Sequence, residues 1–107
     1  MKKVPYKVYM AKGVELYGED KTKWKFRCVS CGHVQTQQDF TDAGIADADM
    51  LAHFSCIGRF VKDVGCDWTL GGLLQIHKLE VLIRGIKNTL VFEFPDYGFN
   101  EYEDKEP

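Results

Sequence analysis

The chain has 107 residues, 45% of them apolar, with 14 Lys/Arg against 16 Asp/Glu. That length predicts one domain with its own core, the composition excludes wholesale disorder, and a formal charge of −2 gives no overall bias toward nucleic acid. The even total hides a split, because residues 1–35 hold eight cations and three anions (+5) while residues 36–107 hold six and thirteen (−7).

Residues 1–3 are basic, like the start of a signal peptide, but Pro5 and Lys7 interrupt the stretch after them, and neither an apolar segment nor a small-residue cleavage site appears. No stretch has the apolar length to cross a membrane. The expectation is a cytoplasmic protein without membrane association. Residues 4–10 alternate Val, Tyr and Lys and predict a strand, which Pro5 confines to a sheet edge or to its own first residues. Residues 18–21 form a turn. Lys23, Trp24, Lys25, Phe26, Arg27 and Cys28 then alternate charge with apolar groups, the pattern of a half-buried strand.

That strand delivers Cys28-Val29-Ser30-Cys31-Gly32-His33. Two cysteines separated by two residues approach one ion from a single turn, and Gly32 accepts the positive φ such a turn demands. Residues 36–40 predict a short helix capped by Thr36 and ended by Gly44. A second helix is predicted from Asp47, with Ala48, Met50, Leu51, Phe54 and Ile57 near helical spacing and Asp47 or Asp49 as its cap. Cys56 then falls at or just past its end, where Gly58 favours termination. Residues 64–72 read as a glycine-rich loop carrying Cys66. Residues 75–83 and 89–94 read as two strands of a hairpin joined by 84–88. The domain is expected to span 1–96, with 97–107 an acidic, frayed tail.

Cys28, Cys31, Cys56 and Cys66 are the only cysteines. In an exported chain they would read as two disulfides, but in a reducing compartment C-x-x-C with two further cysteines reads as a metal site. Four thiolates complete a tetrahedral shell with no open position, so the expected cofactor is a structural Zn2+, worth on the order of 10 kcal/mol in apparent binding energy. The pairing of Cys56 and Cys66 with the first two rests on count and not on spacing, and His33, His53 or His77 could replace one of them. A thioredoxin-like redox pair is the rival for Cys28 and Cys31, weakened by Gly32 where a helix would have to start and by the missing β-α-β context. Lys25, Arg27 and Arg59 flank the ligands as counter-charges. His33, Arg27, Arg59, Trp68 and His77 are the candidates for contact with the thiolates or with a partner. The expected fold is α+β: a small antiparallel sheet with one or two short helices, stapled by this zinc-knuckle-like site.

Phe26-Arg27-Cys28, Cys31-Gly32-His33-Val34-Gln35, Asp39-Phe40, Phe54-Ser55-Cys56-Ile57-Gly58-Arg59 and Gly65-Cys66-Asp67-Trp68-Thr69-Leu70-Gly71-Gly72-Leu73, with His77 and Glu80-Val81 after them, make an ordered motif string. Over residues 24–94 it resembles a family of small uncharacterised proteins encoded by bacteriophages and prophages. The resemblance implies an accessory protein made in a bacterial host, with no activity to carry over.

Three functions stand as expectations. The first is a non-enzymatic module that binds a host or phage macromolecule, a protein before a nucleic acid because the acidic second half repels phosphate, and that interferes with host machinery or immunity. The second is nucleic-acid binding through Lys2, Lys3, Lys7, Lys12, Lys21, Lys23, Lys25 and Arg27 interleaved with Tyr6, Tyr9, Tyr17, Trp24 and Phe26, a pattern that a strand with one core face and one solvent face also produces. The third is a zinc enzyme using Asp67, His77, Glu80, His53 or His33, against which stands the absence of any Ser-His-Asp, H-E-x-x-H or nucleotide-loop signature. Gly71-Gly72 offers a candidate anion nest near Arg59, or simply a tight turn. Oligomeric state is not specified by these patterns.

Overall fold

The computed structural model describes residues 2–70, 79–82 and 89–102. It is α+β. Strand β1 (Lys2–Pro5) runs directly into helix α1 (Tyr6–Tyr17), followed by a 3-10 turn at Lys21–Lys23 and β2 (Lys25–Arg27). Then come β3 (Val34–Thr36), α2 (Gln37–Asp42), α3 (Ala48–Leu51) and a 3-10 turn at Ile57–Arg59. Strands β4 (Leu79–Leu82) and β5 (Thr89–Val91) and a 3-10 turn at Asn100–Tyr102 complete the order.

Two sheets form, not one. β2 and β3 make an antiparallel pair with Phe26 opposite Gln35. The other sheet has the order β1-β4-β5 and is mixed: β4 and β5 are antiparallel, as the predicted hairpin requires, but β1 lies parallel to β4 with Val4 beside Val81. The outer parts of that hairpin, 75–78 and 83–88, lie outside the described residues. Pro5 ends an edge strand, where its missing N–H breaks no ladder.

The predicted strand over 4–10 is a helix from Tyr6 onward. The buried residues of α1 are Tyr9 and Gly13, four apart on one helical face, and glycine at the second position has a physical reason. A Cβ on Gly13 would stand 2.2 Å from the Trp24 ring, which packs against the helix and donates its indole N–H to Gly18 O at 2.8 Å. Across 23–28 the predicted alternation holds, with Trp24, Phe26 and Cys28 buried and Lys23, Lys25 and Arg27 exposed. Helix α2 starts at the predicted cap: Thr36 Oγ1 accepts the Asp39 N–H, and the Asp39 carboxylate accepts the Thr36 N–H in return.

The second predicted helix is cut short. It ends at Leu51 and not near Cys56, and Asp47, although in the cap position, is left-handed (φ 58°) and makes no capping bond. Beyond it the chain turns so that Ser55 pairs with Thr69.

The Phe94 ring organises the core, enclosed by Tyr9, Tyr17, Trp24, Phe26 and Phe99, with Tyr9 stacked on it at 4.7 Å. Phe99 is 0% exposed and its backbone sits at φ 53°, a conformation costly for a bulky residue that its burial holds in place. Phe99 therefore packs into the core from within the stretch expected to be a frayed tail; residues 103–107 lie outside the described set. No helix among the described residues is long and apolar enough to cross a membrane.

Candidate metal centre

The β2–β3 hairpin carries the first pair of sulfurs. Its connecting turn is closed by Cys28 N–H to His33 O at 2.9 Å and Gly32 N–H to Cys28 O at 3.0 Å, with Gly32 at φ 80° as the sequence demands. Backbone N–H groups of Ser30 and Cys31 point at Cys28 Sγ, and that of His33 reaches Cys31 Sγ at 3.5 Å. A turn with N–H donors aimed at sulfur stabilises thiolate. It leads into a strand and not a helix, so the thioredoxin-like arrangement is not the one present.

The second pair has local geometry too, which the nine intervening residues concealed. The Ser55–Thr69 pairing brings the two segments antiparallel, with Cys56 N–H to Trp68 O at 2.9 Å, Leu70 N–H to Phe54 O at 3.0 Å and the two hydroxyls 2.7 Å apart. Cys56 then opens the 3-10 turn at Ile57–Arg59. Its sulfur receives the N–H of Cys66 at 3.2 Å and a further N–H from Gly58. The two chain segments nearly touch: a Cβ on Gly58 would lie 2.3 Å from Val64 O and Cys66 O, and one on Gly65 would lie 2.5 Å from Cys56 Sγ. Gly65 also has φ 61°, so glycine is required there twice over.

All four Sγ atoms lie within 4.8 Å of one another, Cys28 to Cys66 at 3.7 Å and Cys31 to Cys56 at 3.8 Å, and no disulfide joins them. Metal–thiolate bonds of about 2.3 Å in a tetrahedron put the sulfurs about 3.8 Å apart, so the cluster has the dimensions of a single four-thiolate ion site. Electrostatics agree. Burial pushes the Cys28 thiol up to about 12, with Cys66 and Cys56 adding to the rise, and burial likewise raises Cys56. At Cys66 burial acts in the same direction but is outweighed by the Trp68 N–H and the neighbouring thiols, which lower it. Four thiolates in so small a space need a cation to coexist.

The surrounding candidates separate. Arg59 donates to Asp67 O at 2.8 Å, fastening the 3-10 turn to the Cys66 loop. Trp68 is half-buried, gives its carbonyl to Cys56, and has a buried indole N–H without a partner among the described residues. The His33 ring lies beside Gly65. Arg27 is exposed, and its backbone N–H bonds Glu93 O at 2.9 Å. His53 stands apart from the sulfurs, against the Phe26 ring at 6.0 Å. His77, Gly71, Gly72 and the Glu80 side chain lie outside the described residues. Sequence reasoning missed Gln35, which is 0% exposed: its amide donates to Ala52 O and Ser55 O, both at 2.7 Å, and its carbonyl accepts Ile57 N–H at 2.8 Å. The alternation around Phe26 marks only the first strand of the pair; nothing in the sequence marks 34–36 as its return or a glutamine there for burial.

A family model described as VVA0879-like matches residues 6–95, and the chain belongs to that family. The match begins well before the motif string near residue 24 and takes in the residues of helix α1. Searches of curated proteins and of solved structures find no match.

Proposed function

We propose that this VVA0879-like protein is a non-enzymatic binding module of phage or prophage origin, stapled by one structural Zn2+ on Cys28, Cys31, Cys56 and Cys66, and that its partner is a host or phage protein. The observation that carries the reading is the closure of the sulfur cluster, with all four Sγ atoms within 4.8 Å. A shell complete in thiolate selects a soft tetrahedral ion and leaves no position for a reactive water, so the metal serves the fold and the surface serves the function. The phage origin rests on the motif resemblance.

A protein partner is favoured over nucleic acid because three of the five rings in the basic stretch, Tyr9, Trp24 and Phe26, are core residues, and of the five only Tyr6 is fully exposed. Lys2 is engaged with Glu93 at 3.0 Å and Lys12 with Glu15 at 2.7 Å, which further breaks up the basic stretch. Conversely, Val34, Phe60 and Val64 are exposed apolar residues on the very segments that carry the cysteines. Bound zinc with four thiolates takes the formal charge from −2 to −4, which also disfavours phosphate.

Native mass spectrometry of the purified protein tests the metal, with one Zn2+ per chain expected and loss of cooperative folding on chelation. Pull-down from bacterial lysate, with and without nuclease, tests the partner. A nuclease-resistant protein lost on Phe60→Ser supports the reading; retention of nucleic acid alone, or a metal-free folded protein, overturns it.

A further inference from the structure

The four cysteines of the sulfur cluster sit in unequal surroundings. Cys28 is 2% exposed and Cys56 0%, and each sulfur receives two backbone N–H groups, from Ser30 and Cys31 in the first case and from Gly58 and Cys66 in the second. Cys66 is half-buried, its sulfur takes the Trp68 N–H, and the turn at Ile57–Arg59 crowds its backbone, since a Cβ on Gly58 would lie 2.3 Å from Cys66 O.

Cys31 differs from all three, because it alone is exposed. Ser30 and Gly32 on either side are exposed as well, and a Cβ on Gly32 would meet nothing within 4 Å, so the space beside Cys31 is open. Its sulfur takes the His33 N–H at 3.5 Å, a longer bond than the 3.2 Å one from Cys66 to Cys56. Donated N–H groups draw charge off a thiolate and burial blocks approach to it. Both effects bear hardest on Cys28 and Cys56 and least on Cys31.

Four thiolates around one divalent ion leave the shell anionic, and thiolate is the nucleophilic form of cysteine. We propose that Cys31 is a modification site of the metal-loaded protein, the sulfur that captures a soft carbon electrophile of the α,β-unsaturated carbonyl class. The proposal rests on the zinc reading above and adds a reactive position to it. In the capture, the sulfur lone pair forms the S–C bond to the β-carbon and the C=C electron pair moves to the α-carbon. Water protonates that carbon and leaves as hydroxide. The product is an uncharged thioether, and a cysteine must be thiolate to hold the ion well. Capture therefore opens the shell at one corner while Cys28, Cys56 and Cys66 keep their places. The hairpin survives it, because its turn is closed by Cys28 N–H to His33 O and Gly32 N–H to Cys28 O, neither of which involves the Cys31 sulfur.

The test takes protein shown by native mass spectrometry to carry one Zn2+ per chain, adds substoichiometric N-ethylmaleimide and maps the label by peptide mass. Cys31 should carry about tenfold more label than Cys28 or Cys56, and several-fold more than Cys66. The labelled chain should give up its ion to a chelating dye faster than the unlabelled one. Cys31→Ser should slow labelling of the metal-loaded protein about tenfold, and Cys31→His, which keeps four donors, serves if the serine variant loses the ion. Label led by Cys66, label spread evenly, labelling only after chelation, or unchanged metal release overturns the proposal and leaves the zinc reading standing. A folded chain isolated without metal, seen in the intact mass before any reagent is added, overturns both.

Discussion

The side-chain carbonyl of Gln35 accepts the backbone N–H of Ile57 at 2.8 Å, joining the strand after the first cysteine pair to the turn that begins at Cys56. The same side chain closes off Ala52 O and Ser55 O, carbonyls left over where α3 stops. One buried amide thus holds the two halves of the sulfur cluster in register before any ion is considered.

Replacing it tests that role. Gln35→Leu keeps the bulk but strands one N–H and two carbonyls in the interior, at a cost of about 3 kcal/mol. Urea denaturation of the metal-loaded protein should show the loss, and competition with a chelating dye should show weaker metal retention. A variant as stable as the parent would mean that water replaces the amide.

Gly32 and Gly65 both have positive φ, but only one is crowded. A Cβ at Gly32 meets nothing within 4 Å, whereas at Gly65 it meets Cys56 Sγ at 2.5 Å. Gly32→Ala should therefore cost about 1 kcal/mol of backbone strain with near-normal metal affinity. Gly65→Ala should lower metal affinity roughly tenfold or more, because it displaces a ligand. Dye competition on the two variants side by side distinguishes them.

His53 supplies a pH dependence. Burial lowers its folded-state value below the ordinary 6.5, with Asp49 pulling the other way. On acidification the unfolded chain takes up this proton first, so the contribution is intact above about 6.5, is lost as pH falls toward the folded value, and loses no more below it. In urea midpoints at pH 7.5 and 5.5, His53→Phe should lose less stability than the parent. Acid effects on the metal centre are common to both proteins and cancel in that comparison.

What the sequence determined by itself was chemistry confined to a few neighbouring residues. The alternation through 23–28, the positive φ at Gly32, the Thr36 cap and the α+β class were all legible, because each depends on backbone geometry spanning one turn or one strand. The tertiary structure alone decided that Tyr6–Tyr17 is a helix, since its stripe of Tyr9 and Gly13 has meaning only once Trp24 lies against it. It alone brought Cys56 and Cys66 to the knuckle, through the Ser55–Thr69 pairing and the buried Gln35. It alone set β1 parallel to β4 and docked Phe99 into the core. These outcomes depend on surfaces buried between segments distant in the chain, and burial of that kind leaves no local pattern to read.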